Sequence, residues 1–147
     1  MSGKQTLVVI GNGMVGHSFM EKLVAAGGLE QYQVVVFGEE SRPAYDRVHL
    51  SEFFSGRSAD DLSMVPEGFY QKNGIDLILS EAVVGIDRDA RELTTSKERT
   101  IQYDKLVLAT GSYPFVPPVP GHERDNCFVY RTIDDLEAIA KAAGNSK

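Results

Sequence analysis

A short apolar run, Gln5-Thr6-Leu7-Val8-Val9-Ile10, leads directly into Gly11-Asn12-Gly13-Met14-Val15-Gly16, and this junction constrains the fold more than any other stretch. An almost unbroken apolar hexapeptide that ends in glycine reads as a strand buried on both faces, as in a parallel sheet. Residues 14–26 follow with Val15, Phe19, Leu23 and Val24 at helical spacing, and Gly27-Gly28 stops that helix. Residues 32–37 (YQVVVF) supply a second buried strand. Strand, glycine turn, helix and strand together make a βαβ unit.

Each glycine has its own task in such a unit. Gly11 lets the chain turn sharply off the strand, Gly13 lets the backbone approach a pyrophosphate, and Gly16 lets the helix pack closely on the sheet. The N–H groups of Met14 and Val15 open the helix and face the phosphates, aided by the helix dipole. A bare G-x-G-x-x-G is common; one placed between a strand and a helix points to the ADP half of a dinucleotide. Glu39, twenty-three residues beyond Gly16, stands at the end of the second strand, where a carboxylate can accept both ribose hydroxyl protons. Glu40 is adjacent, and which of the two turns inward stays open at this point.

Downstream, residues 38–58 form a long loop, and 59–73 read as a helix ending at Gly74. A third strand is expected at 75–79, then three short runs at 82–87, 91–95 and 100–103 whose charged turns predict an antiparallel meander. Residues 106–109 return to the buried-strand pattern and end in Thr110-Gly111. Pro114, Pro117, Pro118 and Pro120 mark a stiff linker, 128–130 is briefly strand-like, and 134–143 reads as a helix capped by Asp134 or Thr132 and stopped by Gly144. The fold expected is α/β: a Rossmann-like, three-layer ββα domain with a parallel sheet, helices on one side and a small meander on the other. The division expected is 1–111 as the dinucleotide domain, 112–127 as connector, and 128–147 as the lead-in to a further domain. A dehydrogenase domain would continue with alternating strands and helices; a meander followed by strand-Ala109-Thr110-Gly111 instead resembles the order in two-dinucleotide flavoproteins, a likeness that favours FAD at the first glycine motif.

Composition closes off several classes. A net charge of -6 over 147 residues leaves no basic face for nucleic acid. The lone Cys127, read as a small buried hydrophobe, excludes a dithiol centre, a Cys-rich zinc site and an iron–sulfur cluster within this stretch, and no metal site is expected. No apolar run has the length of a membrane span, the N-terminus is too short for a signal peptide, and cytoplasm is the expected compartment. In the loop, Arg47 has the fork geometry to pair with phosphate or ribose, or equally to form a surface ion pair with Asp46, Glu39 or Glu40. His17 and His49 fit no metal or triad spacing and read as structural or surface groups, and Glu123-Arg124-Asp125 reads as a solvated turn.

The runs VVIGNGMVGH, EESRPAYDRVHLS, YDKLVLATGSYP and FVYRTIDDLEAI resemble the N-terminal part of bacterial NAD(P)H-dependent nitrite reductase large subunits. More broadly they are similar to the FAD/NAD(P)-dependent oxidoreductases that include ferredoxin and rubredoxin reductases. The resemblance implies that Gly11, Gly13, Met14, Val15 and Gly16 hold the FAD pyrophosphate and Glu39 the adenosine ribose. It implies that Arg47 reaches the FAD, that Leu50 and Ser51 lie near the flavin, that the Val83 backbone meets the adenine, and that Thr110 and Gly111 lie against the cofactor. No catalytic residue is implied within the chain. For the intact enzyme it implies NAD(P)H as donor, an iron–sulfur cluster and siroheme that reduce nitrite to ammonia, and a small subunit as partner. Where ferredoxin reductases carry a lysine after the matching leucine–serine pair, this chain has Glu52, which favours the nitrite reductase likeness. The chain stops at Lys147, where a second glycine motif would begin, so the expectation is a piece of a longer enzyme, inactive alone and open to self-association. The alternatives are the first part of a rubredoxin- or ferredoxin-type reductase, and a dinucleotide-binding module without turnover.

Overall fold

The computed structural model describes residues 3–146. Met1, Ser2 and Lys147, the outer ends of the first and last expected segments, lie outside the described residues. The chain divides into two compact units: one runs to Tyr45 and resumes at Met64–Gly111, and the other joins Asp46–Ser63 to the chain from Ser112 onward.

In the first unit β1 (Gln5–Ile10), β2 (Tyr32–Phe37), β3 (Asp76–Ile78) and β7 (Lys105–Leu108) form a parallel sheet in the order β3-β2-β1-β7. Parallel neighbours need a crossover, and α1 (Met14–Ala25) supplies it between β1 and β2. The register pairs Ile10 with Phe37 and with Leu108, and Phe37 with Ile78, so the carboxyl ends of all four strands finish level. β4 (Val83–Asp87), β5 (Glu92–Thr95) and β6 (Thr100–Gln102) make the expected antiparallel meander.

Side chains alternate between the two faces of the parallel sheet. Leu7, Val9, Val34 and Val36 pack with Met20, Tyr70 and Ile75 on the helical side. Val8, Ile10 and Phe37 pack with Leu93 on the meander side. Both faces of β1 are therefore covered, which is why its sequence is continuously apolar; each such side chain contributes roughly 1.5–3 kcal/mol on burial.

The second unit contains a 3-10 helix, Leu50–Ser55, packed against α3 (Ile133–Gly144). Leu50, Leu62, Ile133 and Leu136 are buried here, and the rings of Phe54 and Tyr130 lie 6.2 Å apart. Thr132 caps α3 reciprocally: its Oγ1 accepts from the Asp135 N–H at 3.2 Å, and its own N–H donates to Asp135 Oδ2 at 2.8 Å.

Several expectations change in detail. The helix expected at 59–73 shrinks to α2, Phe69–Lys72. Pro66 disfavours helical backbone at Val65, and Gly68 takes the left-handed conformation at φ 71, so the helix begins only after it. Residues 128–130 join no sheet, with Phe128 and Tyr130 exposed. Gly144 is inside α3, and Asn145 caps it with right-handed backbone. Cys127 is exposed rather than buried, its thiol donating to the Gly121 carbonyl at 3.3 Å.

Candidate functional site

The level carboxyl edge of the parallel sheet is where open α/β sheets place their ligands. Three chain segments leave it side by side. The Gly11 N–H donates to the Phe37 carbonyl at 2.8 Å, the Gly38 N–H to Ile78 at 2.8 Å, and the Ala109 N–H to Ile10 at 2.8 Å. The glycine turn, the acidic strand end and the Ala109-Thr110-Gly111 strand end are thus brought together.

The three glycines are small for different reasons. Gly11 has φ 108, and a Cβ there would collide with the carbonyl of Ala109. A Cβ on Gly16 would collide with the Gly11 carbonyl and stand 3.7 Å from Ala109 Cβ. These two glycines answer to packing within the chain. Gly13 does not. It caps α1 in extended backbone, φ -95 and ψ -163, which any residue adopts, and a Cβ there would meet nothing within 4 Å. The space it leaves lies before the opening N–H groups of α1, at Met14 and Val15. No acidic side chain occupies the first turn of that helix, so its partial positive charge is not neutralised locally.

The acidic pair is separated by its surroundings. Glu40 is half-buried and its Oε2 accepts from the Tyr45 hydroxyl at 2.6 Å; Glu39 is exposed at the strand end. Val83 is drawn to the same edge because the Ser80 N–H donates to the Glu40 carbonyl and the Glu81 N–H to the Gly38 carbonyl, at 3.0 and 3.1 Å.

In the second unit the Arg47 guanidinium donates to the Arg131 carbonyl at 3.2 Å. The Asp46 carboxylate accepts from His49 Nδ1 at 2.6 Å and from the backbone N–H of Val48 and His49. That contact holds the Asp46 carboxyl below its usual range and raises the exposed His49. Leu50 is buried and Ser51 exposed at the start of the 3-10 helix, and Glu52 pairs with Arg57. Among the described residues, no cluster of His, Cys, Asp and Glu could hold a metal ion, and no helix is long and apolar enough to cross a membrane.

Three side chains that the sequence did not single out for this site stand beside it: Asn12, Tyr70 and Glu81. Asn12 sits between two motif glycines but has no periodic signature, and its partners are 32 and 58 residues away. His17, read as structural or surface, is fully buried on α1 with Nδ1 2.9 Å from the Tyr70 hydroxyl. Burial lowers its pKa, against an opposing pull from the Glu21 charge and the Met64 backbone.

With this geometry in place, comparison with known proteins gives a consistent picture. The chain is 55% identical over 98% of its length to the nitrite reductase [NAD(P)H] large subunit of Klebsiella oxytoca, and covers 15% of that protein. It is 50% identical over 98% of its length to the nitrite reductase (NADH) large subunit of Escherichia coli K12, and covers 17% of it. The chain therefore spans only about a sixth of the length of these relatives. Among solved structures it resembles the covalent putidaredoxin reductase–putidaredoxin complex, with a TM-score of 0.85 and 27% identity over 96% of this chain and 34% of that one. It also resembles NADH:rubredoxin oxidoreductase from Clostridium acetobutylicum, with a TM-score of 0.81 and 26% identity over 99% of this chain and 37% of that one. Residues 5–147 match the family described as pyridine nucleotide-disulphide oxidoreductase, and the chain belongs to that family.

Proposed function

We propose that this chain is the FAD-binding part of an NAD(P)H-dependent nitrite reductase large subunit, with the FAD pyrophosphate held at the glycine turn. The observation that carries the reading is Gly13, a glycine required by neither backbone conformation nor internal packing, at the mouth of α1. A pyrophosphate approaching the backbone there supplies the missing reason for its size.

In this reading Gly11 and Gly16 shape the turn, and the N–H groups of Met14 and Val15 donate to phosphate oxygens. Glu39 accepts from the adenosine ribose, its neighbour Glu40 being engaged by Tyr45. The Val83 backbone meets the adenine, and Thr110 and Gly111 run along the cofactor. In the second unit, Arg47 is assigned to the FAD, and Leu50 and Ser51 to the flavin, on the resemblance of that run alone. FAD, when bound, supplies the acceptor for hydride from NAD(P)H; this chain supplies binding, orientation and electrostatics.

For the whole protein the reading extends to reduction of nitrite to ammonia at an iron–sulfur and siroheme region outside this chain, in the cytoplasm, with a small subunit as partner. Residues 1–111 are assigned as the first FAD segment, 112–127 as connector and 128–147 as the lead-in to an NAD(P) domain. Identities of 55% and 50% to nitrite reductases, against 27% and 26% to the two reductase structures, support this over a rubredoxin- or ferredoxin-type reductase. The test is a titration of the full-length apoprotein with FAD, followed by flavin fluorescence, with ADP and NADH as competitors. Displacement by ADP and little by NADH is expected; displacement by NADH as readily as by ADP would return the glycine turn to nicotinamide nucleotide.

A further inference from the structure

A directed chain of hydrogen bonds runs beneath the glycine turn. The Ala44 N–H donates to Asn12 Oδ1 at 3.0 Å, and because only oxygen can accept there, the Asn12 amide is fixed with Nδ2 facing Tyr70. Asn12 Nδ2 donates to the Tyr70 hydroxyl at 2.6 Å. That hydroxyl keeps its proton, since burial raises its pKa, and it lies 2.9 Å from His17 Nδ1. Having accepted from Asn12, the hydroxyl still has its proton to offer to His17 Nδ1, which accepts it in the ring tautomer protonated on Nε2. His17 Nε2 lies 3.7 Å from Glu21 Oε1, beyond hydrogen-bonding distance.

Asn12 also lies beside the acidic strand end: a Cβ added at Gly38 would stand 3.3 Å from Asn12 Cβ. One side chain in the middle of the glycine turn is therefore placed at both sides of the Glu39–Glu40 segment: beside Gly38, and bonded to the Ala44 N–H. His17 and Tyr70 each pack against the Phe69 ring, at ring-centre distances of 5.2 Å, at the far end of the chain.

We propose that Tyr70 and His17 are positioning residues of the cofactor site, acting through Asn12 to lock the glycine turn in register with the acidic strand end. This rests on the reading of that turn as the FAD pyrophosphate site. Neither residue reaches the space before Gly13. Their effect is to fix the distance between the groups that hold phosphate and the carboxylate that holds ribose, so that FAD meets both without reorganising the loop.

The test uses the full-length protein and FAD as the probe. Tyr70→Phe takes a hydrogen-bond partner from the buried His17 and the part-buried Asn12, and its FAD Kd is expected to rise about tenfold. Asn12→Ala is expected to weaken FAD at least as much, and the double variant to be no weaker than Asn12→Ala alone, because the two act as one unit. His17→Ala is expected to weaken FAD, and His17→Asn, whose amide offers a hydrogen-bond partner where Nδ1 stood, to restore most of the loss. A Tyr70→Phe Kd within twofold of wild type, or a double variant equal to the product of the single effects, would overturn the proposal. If Tyr70→Phe does not fold, the His17 pair decides: equal affinities for Ala and Asn overturn it. Gly13→Val separates the two levels, since unchanged FAD binding there removes the cofactor reading itself.

Discussion

Glu81 and Arg99 form a two-pronged ion pair, Nε to Oε1 at 2.8 Å and Nη2 to Oε2 at 2.6 Å, with the Glu81 side chain only 1% exposed. Lys97 Nζ stands 3.7 Å away, and the Glu81 N–H is tied to Gly38 at the carboxyl edge of the parallel sheet. A buried carboxylate persists only when paired, and hydrogen bonds from Arg99 and Thr95 hold it at about 2, against an ordinary 4.5. A depressed carboxyl contributes stability that is present above 4.5 and is lost as pH falls toward 2. Glu81→Gln should lower Tm at pH 7, and the gap from wild type should close as calorimetry is carried down through that window. A gap that does not change with pH would contradict this account of the pair.

The glycines should separate cleanly by substitution. Gly11→Ala and Gly16→Ala each force backbone apart, and the first also strains a positive φ, so each should cost at least about 2 kcal/mol of stability. Gly13→Ala should leave apoprotein stability within about 0.5 kcal/mol of wild type while weakening FAD about tenfold. Thermal melts of the apoproteins, with and without FAD, read both effects. Equal destabilisation by all three would mean that Gly13 serves packing after all.

His17 titrates in the opposite part of the range. Its pKa is lowered by burial, so the stability that depends on its neutral ring is present above pH 6.5 and lost as pH falls below it. His17→Asn removes that proton uptake, and its Tm should fall less steeply than wild type between about pH 6.5 and 5. Identical slopes for the two proteins would show that the ring is not held neutral.

The adjacent acids should divide their labour. Glu39→Gln is expected to weaken FAD and ADP together, by roughly three- to tenfold, with little change in Tm. Glu40→Gln is expected to act on Tm through the lost charge on the Tyr45 hydrogen bond, and to leave ADP affinity within about twofold. Competition binding and melts of the two variants check this. The reverse pattern would assign the ribose to Glu40.

How much was legible depended on the range of the interaction. β1, α1 and β2 show in the sequence because burial on both faces makes their strands continuously apolar, and glycines mark the turns. The helix expected at 59–73 was lost because side-chain periodicity there was weaker than two backbone effects, Pro66 acting on Val65 and the left-handed Gly68. At the site, Gly11 and Gly16 were readable from spacing, but the Tyr45 hydroxyl that bonds Glu40 carries no local signal. The Asn12–Tyr70–His17 chain and the Glu81–Arg99 pair have no local pattern, since each joins residues that only the fold brings together.

The most direct measurement is a crystal structure of the FAD-loaded full-length protein. The account expects the FAD pyrophosphate against Gly13, within hydrogen-bonding distance of the Met14 or Val15 N–H, with the adenosine ribose at Glu39. A nicotinamide nucleotide at that turn, or FAD bound with its pyrophosphate elsewhere, would contradict it.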